Sequence, residues 1–170
     1  MSFKRIHIIG ASGSGKTYLS QKLSRILNLP LQDLDEIKWD NQGTYGIERP
    51  VEERDALLNN FIAQPAWIVE GIYYGWVGES FAQADAIIIL QPSGILRNYR
   101  VIMRFLKRKL GFLPSKNETI KDLIVLITWT NDYARRKVPE IIAMTDIYSD
   151  KRFYFNNADE ALRFLTMPKA

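Results

Sequence analysis

Eight residues near the start of the chain, Gly10-Ala11-Ser12-Gly13-Ser14-Gly15-Lys16-Thr17, combine three glycines with one lysine and one threonine. Their spacing, G-x-x-x-x-G-K-T, suits one chemistry, the binding of a polyphosphate. Glycines let the backbone turn its N–H groups inward as a nest for phosphate oxygens. A helix opening at Gly15 points the positive end of its dipole into the same space. Lys16 would bridge the β- and γ-phosphates, and the Thr17 hydroxyl would hold Mg²⁺. Gly10 through Tyr18 are the expected nucleotide-binding residues, with ATP and Mg²⁺ as ligands. Lys16 is expected to be solvated when no nucleotide is bound.

Two carboxylate groups follow. In "LPLQDLDEIKWD" a second strand ends on Asp33 and Asp35, which alternation sends to the same side. Such a pair can hold the water shell of a magnesium ion and accept the proton of an attacking hydroxyl. A third strand, "AWIVEG", ends on Glu70, suited to a magnesium-bound water or to positioning water. Thr17, Asp33 and Glu70 are the candidate metal residues, and Asp35 the candidate base. An acidic turn that merely caps a helix would look the same in sequence.

Cations complete the set. Along "SGILRNYRVIMRFLKRKL", Ile95, Tyr99, Ile102, Leu106 and Leu110 fall on one helical side and Arg97, Arg100, Arg104 and Arg108 on the other. A second group, "ARRK", spans Ala134 to Lys137. Arginine neutralises charge on a phosphoryl group in transfer, so Arg100, Arg104, Arg135 and Arg136 join Lys16 and Asp35 as catalytic candidates. A stripe of arginines can equally do no more than solvate a helix. The two basic clusters flank the break "LGFLPSK" and read as the edges of a lid, over about residues 97–137, that closes over the γ-phosphate. His7 lies within the first strand and reads as a packed residue. Trp39 and Trp76 follow the carboxylates closely and could line an acceptor pocket or pack at the sheet edge.

These groups need strand tips and helix starts to hold them. Short apolar runs at Phe3–Ile9, Pro30–Leu34, Ala66–Glu70, Ala84–Leu90 and Lys151–Phe155 read as buried parallel strands. Helical patterns alternate with them: "KTYLSQKLSRILN", "VEERDALLNNFIA" after Pro50, two or three helices between Ser93 and Ile147 broken at "LGFLPSK" and Pro139, and "DEALRFL". Ser115 with Glu118 predicts a capping box for the second of the middle helices. The architecture is three-layer α/β, in one domain over residues 1–170.

Bulk composition agrees. The chain has 170 residues, 46% hydrophobic and 25% charged, as in ordinary globular proteins. It has no cysteine, which excludes disulfides and thiolate metal sites and fits a reducing cytoplasm. The opening apolar run is too short for a signal peptide, and "LIVLITW" too short to span a bilayer, so no membrane role is expected. A net charge of +4 suits anionic ligands.

The ordered set "IIGASGSGKTYLSQKL", "LDEIKW", "AWIVEGIYYGW", "ADAIIIL", "RNYRVIMRFLKR" and "ITWTNDYARRK" resembles the adenylate-kinase-related small P-loop kinases. Among them it is most similar to the DNA-topology-modulation (FlaR-like) group. The resemblance implies a P-loop NTPase fold with a five-stranded parallel sheet in order 2-3-1-4-5, helices on both faces and a short helical lid. It also implies ATP, Mg²⁺ and phosphate transfer to a small acceptor. Asp35 falls on that group's aspartate, Arg100 and Arg104 on its lid-helix arginines, and Asp33 with Asp35 looks like the paired aspartates of shikimate kinases. Glu70 and Gln91 depart from the usual aspartates. The expected function is a small-molecule kinase acting on an unphosphorylated hydroxyl or amine. The rival readings are a nucleotide-regulated nucleic-acid-binding protein, using the basic stripe, and a bare NTPase.

Overall fold

The computed structural model describes residues 3–40, 46–113 and 118–167. Five strands, β1 (Arg5–Gly10), β2 (Leu31–Asp33), β3 (Trp67–Gly71), β4 (Ala86–Leu90) and β5 (Arg152–Phe155), form one sheet in the order β2-β3-β1-β4-β5. Every neighbouring pair is parallel. The central strands are apolar on both faces because both are covered. Ile8, Ile68 and Ile88 belong to one core, with Leu19 and Leu23 of α1 (Lys16–Leu27) and Ala161 and Leu165 of α8 (Ala158–Thr166). Their neighbours Ile9, Val69 and Ile89 belong to the other core. That core includes residues of α2 (Leu34–Lys38), α3 (Val51–Ile62), α4 (Gly78–Gln83) and α7 (Val138–Met144). The two-residue period of the strands thus divides the molecule into three layers.

Strand limits agree with the sequence reading to within two residues, and the larger differences have local causes. β2 stops at Asp33 because that side chain accepts a hydrogen bond from Asp35 N and caps α2. Asp35 therefore sits in a helical turn and not on a strand. The α4 helix was unforeseen, being only six residues long. Among the middle helices, α5 (Gly94–Lys109) is followed by α6 (Ile120–Asp132). The expected cap Ser115 lies outside the described residues; Thr119 and Asp122 form the capping box of α6. No break occurs at Pro139. A π-helical turn, Tyr133–Lys137, carries α6 straight into α7, where the proline occupies the first turn and needs no donor. Among the described residues no helix is long and apolar enough to cross a membrane.

Of the two sides of α5 the basic one faces inward: Ile95 is 86% and Leu110 70% exposed, while Val101 is 1% and Arg97 7% exposed. The helix lies across the glycine loop: a Cβ on Gly13 would stand 2.7 Å from Arg97 O and 3.0 Å from Val101. That loop presents carbonyl and hydroxyl acceptors, so guanidinium groups are the complementary side chains there.

Candidate active site

The loop between β1 and α1 has the geometry that a phosphate nest needs. Gly13 and Gly15 have φ of 77° and 102°, values that side chains rarely tolerate. Gly15 is also the residue from which α1 starts, so the first-turn amides of that helix open into the cavity beside it. Within the loop, Ala11 and Ser14 are buried. Lys16 is not solvated. It is 9% exposed, and its Nζ donates to Ala11 O at 3.3 Å. Burial pushes its pKa down, and the charges of Glu70, Asp35 and Asp33 oppose that shift. Tyr18, one residue past the motif, donates to Asp159 at 2.8 Å and lines the cavity's edge.

The carboxylates converge from neighbouring parallel strands. Asp33 and Glu70 are register partners at the ends of β2 and β3. Glu70 is buried, and its Oε1 accepts the Thr17 hydroxyl proton at 2.7 Å. Burial raises its pKa, opposed by Lys16 and by this hydrogen bond. The Asp33 carboxyl is pushed up to about 6, first by burial and then by the charge of Glu70. Tyr73 donates to Asp35 Oδ1 at 2.6 Å, and burial with that bond holds the phenol protonated. Nothing in the motif spacing marks Tyr73. Its only signal is its position three residues past the strand-tip Glu70.

From above, Arg100 Nη1 donates to the Ser14 and Gly13 carbonyls at 3.1 and 3.4 Å, and Arg104 Nη2 to Ser12 Oγ at 3.0 Å. Arg97, deeper still, donates to Asn131 Oδ1 of α6 at 2.8 Å. Lys16, Thr17, Asp33, Asp35, Glu70, Arg100 and Arg104 all line one cavity of about 390 Å³. Arg135 and Arg136 do not line it; both are exposed on the π-helical turn, where Arg136 pairs with Asp132. Trp129 of α6, which the sequence did not single out, does line it.

A second cavity, of about 290 Å³, adjoins the first and shares Ile72 and Trp129 with it. Tyr73, Tyr74, Trp76 and Tyr133 also line it. His7 takes no part in either: buried in β1, its Nδ1 is 2.8 Å from Ser80 Oγ.

No family profile matches the sequence, and no curated protein matches it. Solved structures do share its fold. A gluconokinase from Sinorhizobium meliloti 1021 is 15% identical with a TM-score of 0.54, over 94% of this chain and 87% of that one. A shikimate kinase from Bacteroides thetaiotaomicron is 19% identical with a TM-score of 0.52, over 96% of each chain. The shikimate kinase from Acinetobacter baumannii, solved with shikimate, is 16% identical with a TM-score of 0.50, over 95% and 92%. At such identities the likeness is one of fold. The chain has the α/β fold of the small P-loop kinases, with its glycine loop between β1 and α1.

Proposed function

We propose that this protein is an ATP-dependent kinase of a small, unphosphorylated acceptor, nearest in kind to the DNA-topology-modulation (FlaR-like) group. One observation carries the reading: a phosphate nest, three carboxylates and two arginines face a single cavity at the carboxyl ends of parallel strands. In this reading residues 1–170 form one domain, and the enzyme works where ATP is held, in the cytoplasm.

The donor set fits magnesium. Thr17, Glu70 and Asp33 offer only hard oxygen ligands, and among the described residues no acidic or histidine cluster could hold a metal alone. Magnesium keeps most of its waters and leans on nucleotide phosphates, so few protein ligands suffice. Thr17 can keep giving its proton to Glu70 while its lone pairs turn to the ion. When bound, Mg²⁺ would neutralise charge on the β- and γ-phosphates.

The chain's own groups do the rest. The loop amides and Lys16 fix the triphosphate. Asp35, held by Tyr73, takes the proton of the acceptor hydroxyl as its oxygen bonds to the γ-phosphorus. The bond from that phosphorus to the bridging oxygen breaks, and its electron pair leaves with ADP. Arg100 and Arg104 stabilise the phosphoryl group in transit. Arg135 and Arg136 join them only if the lid over about residues 97–137 closes further.

Two observations favour an acceptor without phosphate. The cations at the end of α2 are engaged: Arg49 donates to the Ile37 and Trp39 carbonyls and pairs with Glu53, and Lys38 pairs with Glu48. The site floor is acidic. The inward arginines of α5 also count against a nucleic-acid role, since a duplex would need them outside. The test is coupled ADP release with Mg²⁺ and a panel of acceptors. Acceptor-stimulated release supports the kinase. Release independent of every acceptor would mean a bare NTPase, and duplex binding that survives physiological salt would mean the nucleic-acid reading.

A further inference from the structure

The second cavity deepens the kinase reading, on which this inference rests, by describing the acceptor. It opens from the phosphate cavity at Ile72 and Trp129, so it lies where the unreacting end of an acceptor at Asp35 would extend. Its walls are aromatic. Tyr73 and Trp76 pair with centroids 5.6 Å apart, and Trp129 and Tyr133 pair at 5.3 Å.

Those walls are fixed in place. Tyr133 donates its hydroxyl proton to Ile72 O, Tyr73 to Asp35, and Tyr74 to Glu140 at 2.6 Å. The loop after β3 is thereby tied to the π-helical turn, to α2 and to α7. Each phenol has spent its proton and can only accept further; the Tyr73 and Tyr74 oxygens already take hydrogen bonds from Trp39 and Lys137, and each keeps a second lone pair. The charged groups at the rim are neutralised by their own partners: Lys38 by Glu48, Lys137 by Glu140, and Asp132 by Arg136. The cavity therefore offers ring faces and hydrogen-bond acceptors but no free charge.

A ligand that matches this must bring hydroxyl donors, a flat C–H face and no net charge. The geometry points to a neutral cyclic polyol, a sugar or cyclitol, whose ring stacks in this aromatic cavity while one hydroxyl reaches Asp35. Transfer is the step written above: the hydroxyl oxygen gains the γ-phosphoryl of ATP, Asp35 takes the proton, and ADP leaves. Trp76 sets specificity, since it lines the second cavity and not the first.

Calorimetry in the presence of ADP and Mg²⁺ tests binding without turnover. The probes are myo-inositol and methyl glucopyranoside against sorbitol, gluconate, shikimate and thymidine. The cyclic neutral probes should bind about tenfold or more tighter than the others. In coupled ADP release, Trp76→Ala should raise the KM of the cyclic acceptor about tenfold, leaving kcat and the KM for ATP within about threefold. Trp76→Phe, which keeps a ring, should restore most of it. A linear, charged or aromatic probe binding tightest would overturn the inference. So would failure of both cyclic probes to bind, or an unchanged KM in Trp76→Ala. Cyclic probes that bind through Trp76 without any ADP release would keep the inference and sink the kinase reading. Brisk turnover of gluconate would do the reverse.

Discussion

Thr17 gives its hydroxyl proton to Glu70, and Lys16 lies buried among Glu70, Asp33 and Asp35. The loop was legible because its chemistry depends on spacing within eight consecutive residues. The burial of Lys16 was not, since the carboxylates around it arrive from β2, α2 and β3. Its removal therefore has two consequences. Lys16→Met should weaken ATP binding by about a hundredfold or more, read by calorimetry. It should also lower ligand-free stability by about 2 kcal/mol in urea, because Glu70 loses its buried counter-charge. Equal ATP affinity in variant and wild type would remove the phosphate-loop assignment. The bond from Tyr73 to Asp35 is illegible for a related reason: it joins residues 38 positions apart.

At the scale of elements, α5 separates what periodicity says from what it leaves open. The two-faced pattern from Ile95 to Leu110 correctly gives a helix. It does not say which face meets the protein, and the usual assumption of an apolar neighbour fails over a loop of carbonyls and hydroxyls. Neighbouring substitutions distinguish the faces. Val101→Ala should cost about 2 kcal/mol in chemical denaturation, as a buried truncation does. Ile102→Ala should change stability by less than about 0.5 kcal/mol. Equal losses would mean that α5 is turned differently. The inward face also carries Arg104 onto Ser12. Arg104→Ala should reduce kcat about a hundredfold, with the KM for ATP within about threefold, because its charge matters most when the phosphoryl group is in transit. A loss confined to KM would make it an ordinary phosphate contact.

The parallel order of the whole sheet brings two buried titrating groups into one molecule with opposite effects on its stability. In β1, burial holds the His7 imidazole down at about 3 from its usual 6.5. Below pH 6.5 the unfolded chain then binds more protons than the folded one, so stability falls on acidification, by about 2 kcal/mol at pH 5. At the end of β2, Asp33 is raised from 3.8 to about 6. Here the folded chain binds more protons between those values, so stability rises as pH drops from about 6 to about 4. After allowance for solvent screening of a partly exposed carboxylate, that gain is about 1 kcal/mol. The two slopes partly cancel in the wild type. Asp33→Asn, which keeps the cap on α2, should be about 1 kcal/mol more stable than wild type at pH 7 and no more stable at pH 4. His7→Gln should lose the acid-side decline and gain stability between pH 6 and 4. Urea denaturation in EDTA at pH 4, 5, 6 and 7 reads both slopes in the ligand-free protein. A pH profile left unchanged by Asp33→Asn would show that this carboxylate ionises as freely in the folded chain as in the unfolded one.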